Sequence, residues 1–150
     1  MGFMGMFGGS KSTAEAGDWG SDQVGMMKML AGMPHMARKP MMKGRINLLL
    51  SLTEEKRQES IRDMIGAFNS PKVKDKARES LVATRIEIVG QLPEDKRRTI
   101  ISSRVAALKV SPQLDEADRR VQERVFPRIP ESARAAFQET WAEIREGTSN

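Results

Sequence analysis

The sequence predicts an all-α fold: a small array of five to six antiparallel helices, preceded by an irregular arm rich in methionine and glycine. Three observations favour this class. Aromatic residues make up 5% of the chain and charged residues 30%, so residues typical of strands are sparse. Apolar residues recur at helical spacing after residue 52. Helix-start signals return at nearly regular intervals along the same stretch.

Proline, small polar residues and acids mark the helix starts. Proline is tolerated at the first helical position, and Ser or Thr before it can cap a free backbone N–H. Acids such as Glu54 and Glu94 suit the positive end of the helix dipole. These signals predict five helices, at 53–69, 71–89, 93–109, 112–126 and 130–146.

Each predicted helix has one apolar face, which should turn toward a common core. These faces are Ile61, Met64, Ile65 and Phe68; Leu81, Val82, Ile86 and Val89; Ile101, Val105 and Leu108; Leu114, Ala117, Val121 and Val125; and Ala133, Phe137, Trp141 and Ile144. Upstream, a short helix is expected at 23–30, ended by Gly32, Met33 and Pro34. Pro40 is expected to begin a second helix, whose apolar run at 48–50 enters the core.

A similar helix opening occurs three times. Segments beginning at Leu52, Leu92 and Ile129 each continue into acids and then Arg57, Arg97 or Arg134, at spacings of 40 and 37 residues. A period near 40 suits a helical-hairpin repeat. A closed bundle with short loops gives helices of equal length as well, so both architectures remain open.

The N-terminal part differs in composition. Ten of the eleven methionines lie in the first 42 residues, and no acid occurs between Gln23 and Thr53. We therefore divide the chain into a basic docking arm at 1–44 and a helical domain at 45–150. Methionine is flexible and polarizable, so a cluster of it fits surfaces of irregular shape. The predicted partner contacts are Phe3, Met4, Met6, Phe7, Met26, Met27, Met29, Met33, Met36, Arg38 and Lys39.

These features predict a non-enzymatic accessory or adaptor subunit that docks on a partner protein complex through its arm. Two alternatives remain. Basic clusters such as Lys72 to Arg78, Arg97 to Arg104 and Arg119 to Arg124 could bind nucleic acid or a ribosome, although acids interrupt them and aromatic platforms are missing. The apolar and basic arm could instead lie on an anionic membrane surface as a peripheral binder.

The sequence lacks the residue combinations that most enzyme mechanisms require. There is no cysteine, and His35 is the single histidine. The methionines around His35 could ligate Cu(I), but hydrophobic contact explains them better. Gly9-Ser10-Lys11-Ser12 lacks the glycine and the strand of a phosphate loop. We predict no catalytic residue, metal site, cofactor or small-molecule substrate. No apolar run is long enough to span a membrane, and we expect a cytoplasmic protein.

Overall fold

The computed structural model describes residues 22–149, which form seven α-helices, a short 3-10 turn and connecting loops. No strand occurs within this range, so the all-α prediction is confirmed, although the helices number seven and not the predicted five to six. The helices are α1 (Gln23–Gly32), α2 (His35–Leu50), α3 (Glu54–Phe68), α4 (Asp75–Gly90), α5 (Glu94–Lys109), α6 (Pro112–Val125) and α7 (Glu131–Ser149), with the 3-10 turn at Phe126–Arg128.

Helix α1 has the predicted position, and α2 begins earlier than predicted. The Asp22 carboxylate accepts a hydrogen bond of 2.9 Å from the Gly25 N–H, which caps α1. The prediction that Pro40 begins the second helix is wrong, because α2 starts at His35 and Pro40 lies inside it. The proline ring removes the N–H that would bond the Met36 carbonyl. Since Met36 is 86% exposed, water can reach this part of the helix.

The remaining boundaries agree with the sequence to within one residue, except at the start of α4 and at the end of α7, which continues to Ser149 and not to residue 146. The Thr53 hydroxyl caps α3, and Pro112 occupies the first turn of α6 as predicted. Helix α4, however, begins at Asp75 and not at residue 71. The Ser70 hydroxyl accepts a hydrogen bond from the Lys72 N–H, which holds residues 70–73 in a turn.

Helix α4 is the central element of the fold. It packs against α1, α2, α6 and α7, while α5 packs against α3 and α7. Because neighbours surround α4, residues on most of its circumference are buried: Leu81, Val82, Thr84, Ile86, Ile88, Val89 and Gly90. None of the helices between residues 22 and 149 combines the length and hydropathy needed to cross a membrane.

The backbones of α4 and α7 meet at Gly90. A Cβ atom placed on Gly90 would lie 2.1 Å from the carbonyl oxygen of Ala133 and 2.7 Å from its carbonyl carbon. Both partner atoms belong to the backbone, so they cannot turn aside as a flexible side chain would. The absence of a side chain at residue 90 is therefore what lets the end of α4 approach the start of α7.

The predicted apolar faces of α3 to α7 point into the core. Their central residues, among them Ile61, Ile86, Val105 and Phe137, are buried. The core also includes residues from α1 and α2 that the sequence analysis assigned to the arm: Met27, Leu30 and Met42. The expectation for residues 48–50 holds only in part, because Leu49 is buried whereas Leu48 is 45% exposed.

Candidate functional sites

An arginine occupies the fourth position of five helices and binds the chain segment that precedes each helix. In α3 this residue is Arg57. Its Nε donates to the carbonyl of Leu49 at 2.9 Å, and its Nη2 donates to the carbonyl of Leu52 at 2.7 Å. Carbonyls at the end of a helix have no partner within the helix and carry the negative end of its dipole. Arg57 therefore caps the C-terminus of α2 with a cation.

The other four arginines make equivalent contacts. Arg38 donates to the carbonyls of Leu30, Ala31 and Met33. Arg78 donates to those of Phe68, Ser70 and Val73. Arg97 donates to the carbonyl of Leu92, and Arg134 to that of Phe126. Side chains near a helix start point back toward its N-terminus, which brings the fourth residue over the preceding loop. Helix α6 differs, since Asp115 stands at this position and accepts a hydrogen bond of 2.9 Å from Arg145 on α7.

Three of these arginines also bind a hydroxyl group on a more distant helix. Arg38 donates to Thr84, Arg57 to Ser103 and Arg97 to Thr140, at distances between 2.9 and 3.1 Å. These bonds join α2 to α4, α3 to α5 and α5 to α7. Each arginine thus connects a helix both to the end of the preceding one and to the second helix along the chain.

These contacts correct two interpretations of the basic residues. Arg38 was predicted as a partner contact, but its side chain is buried against the end of α1 and Thr84. Arg78, Arg97 and Arg104 were considered as parts of a phosphate-binding stripe, and each is committed to bonds within the protein. Their charge is used to satisfy carbonyls or Asp118, which leaves fewer cations facing outward.

The predicted methionine contacts fall into three groups. Met27 is 2% exposed and belongs to the core, so its side chain is not accessible at the surface for the predicted partner contact. Met26 and Met33 are half-buried, whereas Met29 and Met36 are exposed. Lys39 is partly exposed and donates to Glu87 at 2.9 Å. The predicted contacts Phe3, Met4, Met6 and Phe7 lie outside the described residues.

Helix α2 presents an apolar outer face that the sequence analysis did not identify as a unit. Met36, Pro40, Gly44 and Leu48 are all exposed and are spaced by four residues, so they form one row along the helix. Met41 is exposed beside this row. We call these five residues the outer face of α2. Their spacing was visible in the sequence, but the expectation that Leu48 lies in the core concealed the pattern.

A buried group of charged residues joins α4, α5 and α6. Arg104 binds the Asp118 carboxylate with two nitrogens, at 3.2 and 2.6 Å, and the Gln122 amide donates to the same carboxylate at 2.9 Å. Arg85 approaches Asp118 only to 3.8 Å. Two buried cations thus share one buried anion, and Arg104 holds the shorter bonds. The sequence does not reveal this group, because its members lie on three different helices.

The pKa values of Arg85 and Asp118 are both lowered, but for different reasons. Burial, together with the neighbouring Arg104 cation, lowers the pKa of Arg85 to about 9, and Asp118 opposes this change. Arg85 therefore remains a cation at neutral pH. The pKa of Asp118 is lowered although burial alone would raise it, because Arg104, Arg85 and the hydrogen bond from Gln122 favour the carboxylate.

Within residues 22–149 no three His, Asp or Glu side chains converge in a manner suited to a metal ion. Comparison of the chain with protein-family models, with curated proteins and with solved structures finds no match. The outer face of α2 thus remains as a candidate site.

Proposed function

We propose that this protein is a non-enzymatic accessory or adaptor subunit that docks on a partner protein. The supporting observation is the outer face of α2, where Met36, Pro40 and Leu48 expose apolar side chains along one row. Gly44 lies between Pro40 and Leu48 in this row, and Met41 is exposed beside it. Of the five large apolar residues that are strongly exposed in the described chain, four lie on α1 or α2: Met29, Met36, Met41 and Leu48. A row spaced by four residues suits a helix that inserts into an apolar groove.

The charge around this face indicates the charge that the partner surface should carry. No acid occurs between Gln23 and Thr53. Of the cations in this stretch, Arg38 is buried and Lys39 is paired with Glu87, whereas Lys28 and Lys43 are exposed. Lys43 is exposed on α2, near Met41 and Gly44. Cations at the edge of an apolar contact orient the partner and accelerate association. The partner surface we propose is accordingly an apolar groove with acidic residues at its margin.

The helical body would serve as the rigid support for this face. Arg38 ties the start of α2 to the end of α1 and to Thr84 in the centre of the fold. An antiparallel array whose helices are linked in this way suits a hairpin-repeat architecture, which we propose in place of a closed bundle. A rigid docking helix loses less conformational entropy on binding than a flexible arm.

The experiment is an affinity purification from the native cells at two salt concentrations, with mass spectrometry of the bound material. The test variant is the double substitution Met36→Lys with Leu48→Lys, and the control is Val110→Lys. Val110 is 68% exposed on another part of the surface, so the control places the same charge away from α2. We expect one stoichiometric protein at both salt concentrations, lost in the test variant and retained in the control.

A second variant separates α2 from the preceding residues. Removing 1–21 leaves every described core residue in place, whereas a cut at residue 44 would remove Met27, Leu30 and Met42 from the core. If the partner is retained without 1–21, the outer face of α2 is sufficient for docking. Binding of lipid or nucleic acid that disappears at high salt and is indifferent to the α2 variant would overturn the proposal.

A further inference from the structure

A surface pocket of about 220 Å³ lies between α2 and the turn that joins α4 to α5. Its polar lining consists of three lysines and two amides: Lys39, Lys43, Asn47, Gln91 and Lys96. No acid lines it. Two other surface pockets differ, because acids line them together with cations: Asp22 and Asp63 in one, Asp75 and Glu79 in the other. The pocket beside α2 therefore favours an anion, and we call it the lysine pocket.

Two parts of the fold form the walls of the lysine pocket. Lys39, Lys43 and Asn47 are spaced by four residues, so they form one row along α2. Gln91 directly follows α4, and Lys96 lies in the first turn of α5. Because α2 packs against both α4 and α5, the two walls belong to helices that are already in contact. The polar groups are therefore positioned by the core packing and do not depend on a loop closing over a ligand.

Two of the three lysines have no counter-charge. The Nζ atom of Lys39 donates to Glu87 at 2.9 Å, so that this pair is close to neutral. Lys43 and Lys96 are exposed, and neither forms an ion pair with any residue between 22 and 149. The lysine pocket thus has two uncompensated positive charges, which a dianion would balance.

We propose that the lysine pocket binds the phosphate monoester group of a small molecule. Such a group carries a charge of about −1.5 to −2 at pH 7 and has three strong acceptor oxygens. The ammonium groups of Lys43 and Lys96 would supply charge-assisted hydrogen bonds, and the amides of Asn47 and Gln91 would donate to the remaining oxygens. Phosphodiesters, which occur in nucleic acids, carry only one charge per phosphate and match the pocket less well.

The rest of the lining suits the organic part of the ligand. Ile88, Leu92 and Pro93 contribute apolar atoms to the same pocket. A cavity of about 150 Å³ accommodates benzene, so a pocket of about 220 Å³ has room for a phosphate group and a small organic group. This proposal goes beyond docking on a partner and does not depend on it, because the purified protein alone suffices for the test.

The first measurement is an NMR titration of the full-length protein with methyl phosphate, at constant ionic strength and about pH 8, above the second pKa of about 6. The side-chain amide resonances of Asn47 and Gln91 report on the lysine pocket. Gln113 is exposed on α6 and serves as the internal control. We expect saturable shifts of the two pocket amides and none for Gln113. Dimethyl phosphate has one charge fewer, and we expect it to bind at least about tenfold more weakly.

The second measurement compares two double variants of equal net charge. Lys43→Gln with Lys96→Gln removes both unpaired cations of the pocket, and we expect methyl phosphate to bind at least about tenfold more weakly. Lys56→Gln with Lys109→Gln removes two exposed cations outside the pocket and should leave the affinity unchanged. All four lysines are exposed, so both variants should fold as the wild type does.

Three outcomes would overturn the proposal. One is equal affinity of the two double variants for methyl phosphate, which would reduce the binding to general electrostatic attraction. Another is the absence of saturable shifts at Asn47 and Gln91, or equal shifts at Gln113. The third is binding of dimethyl phosphate or a short RNA that equals or exceeds the binding of methyl phosphate, which would assign the pocket to phosphodiesters.

Discussion

The hydroxyl group of Ser103 on α5 accepts a hydrogen bond of 3.1 Å from Arg57 on α3 and donates to the carboxylate of Glu54. Arg57 and Glu54 are themselves joined by an ion pair of 2.6 Å. The three side chains form a closed set that connects the start of α3 to the middle of α5. Glu54 therefore does more than face the helix dipole, the role that its position in the first turn predicted.

Replacing Arg57 tests whether these contacts stabilise the fold. Arg57→Ala removes the side-chain donor of the partly buried Leu52 carbonyl and the ion-pair partner of Glu54. The Leu49 carbonyl loses one of its two donors and keeps the N–H of Leu52. Because buried acceptors are costly to leave unpaired, we expect the free energy of unfolding to fall by about 3 kcal/mol. Chemical denaturation monitored by circular dichroism measures this change. Arg57→Lys should recover only part of the loss, since an ammonium group lacks the planar fork.

The control for this prediction is Arg62→Ala in the same helix. Arg62 is exposed, so its removal should change the free energy of unfolding by about 0.5 kcal/mol or less. Similar losses for Arg57→Ala and Arg62→Ala would show that the carbonyl contacts of Arg57 contribute little to stability.

Gly90 offers a second test, directed at the contact between α4 and α7. A methyl group at residue 90 would collide with backbone atoms of Ala133, so we expect Gly90→Ala to destabilise the protein by about 3 kcal/mol. Gly66→Ala is the matched control, because a Cβ there meets no atom within 4 Å. In that helical position alanine should stabilise the fold by about 0.5 kcal/mol. Thermal unfolding of the two variants should therefore shift in opposite directions.

The contrast between these residues indicates how far the sequence predicts the structure. The helical spacing of Ile61, Ile65 and Phe137 identified core residues, because periodicity reports which face of a helix is apolar. Arg57, Arg97 and Arg134 were visible as parts of a recurring opening, but their acceptors are backbone carbonyls, which every sequence provides. Their structural role could therefore not be distinguished from that of a solvated charge.

The methionines show that composition alone does not predict which side chains of a helix are buried. Met27 and Met29 lie two residues apart in the same short helix, and one is buried while the other is exposed. Composition could not separate them, because α1 is apolar around most of its circumference and the positions of α3 and α4 decide which side is covered. The buried charged group has the same origin, since Arg85, Arg104 and Asp118 come from three helices whose relative positions depend on tertiary packing.

The stability of the fold should depend on the charge of Asp118. Its pKa is lower in the folded protein than in the unfolded chain, so the folded state binds fewer protons in this range. The resulting stabilisation is fully present above the ordinary pKa of 3.8 and is lost as the pH falls below it toward the folded pKa. Asp118→Asn removes the carboxylate while Arg104 stays buried, and we expect a loss of about 3 kcal/mol at pH 7.

Urea unfolding at a series of pH values measures this dependence. The difference between wild type and Asp118→Asn should shrink as the pH falls below 3.8, because protonation neutralises the wild-type side chain as well. Glu139→Gln, at an exposed position of α7, provides the control and should follow the wild-type curve. A difference between wild type and Asp118→Asn that is constant with pH would mean that the shape of the side chain matters and its charge does not.

Pro40 allows the stability of α2 to be separated from its proposed role in docking. Proline inside a helix is less favourable than alanine by about 3 kcal/mol, and its restriction of the unfolded chain offsets up to about 1 kcal/mol of this. Pro40→Ala restores an N–H that can bond the Met36 carbonyl, so we expect the protein to become more stable by about 2 kcal/mol. Differential scanning calorimetry measures the gain.

Pro40 lies in the exposed row between Met36 and Gly44, so its ring would contact a partner docked on α2. Affinity for that partner should therefore fall in Pro40→Ala although the helix is more stable. An unchanged or higher affinity would place the contact elsewhere on the protein.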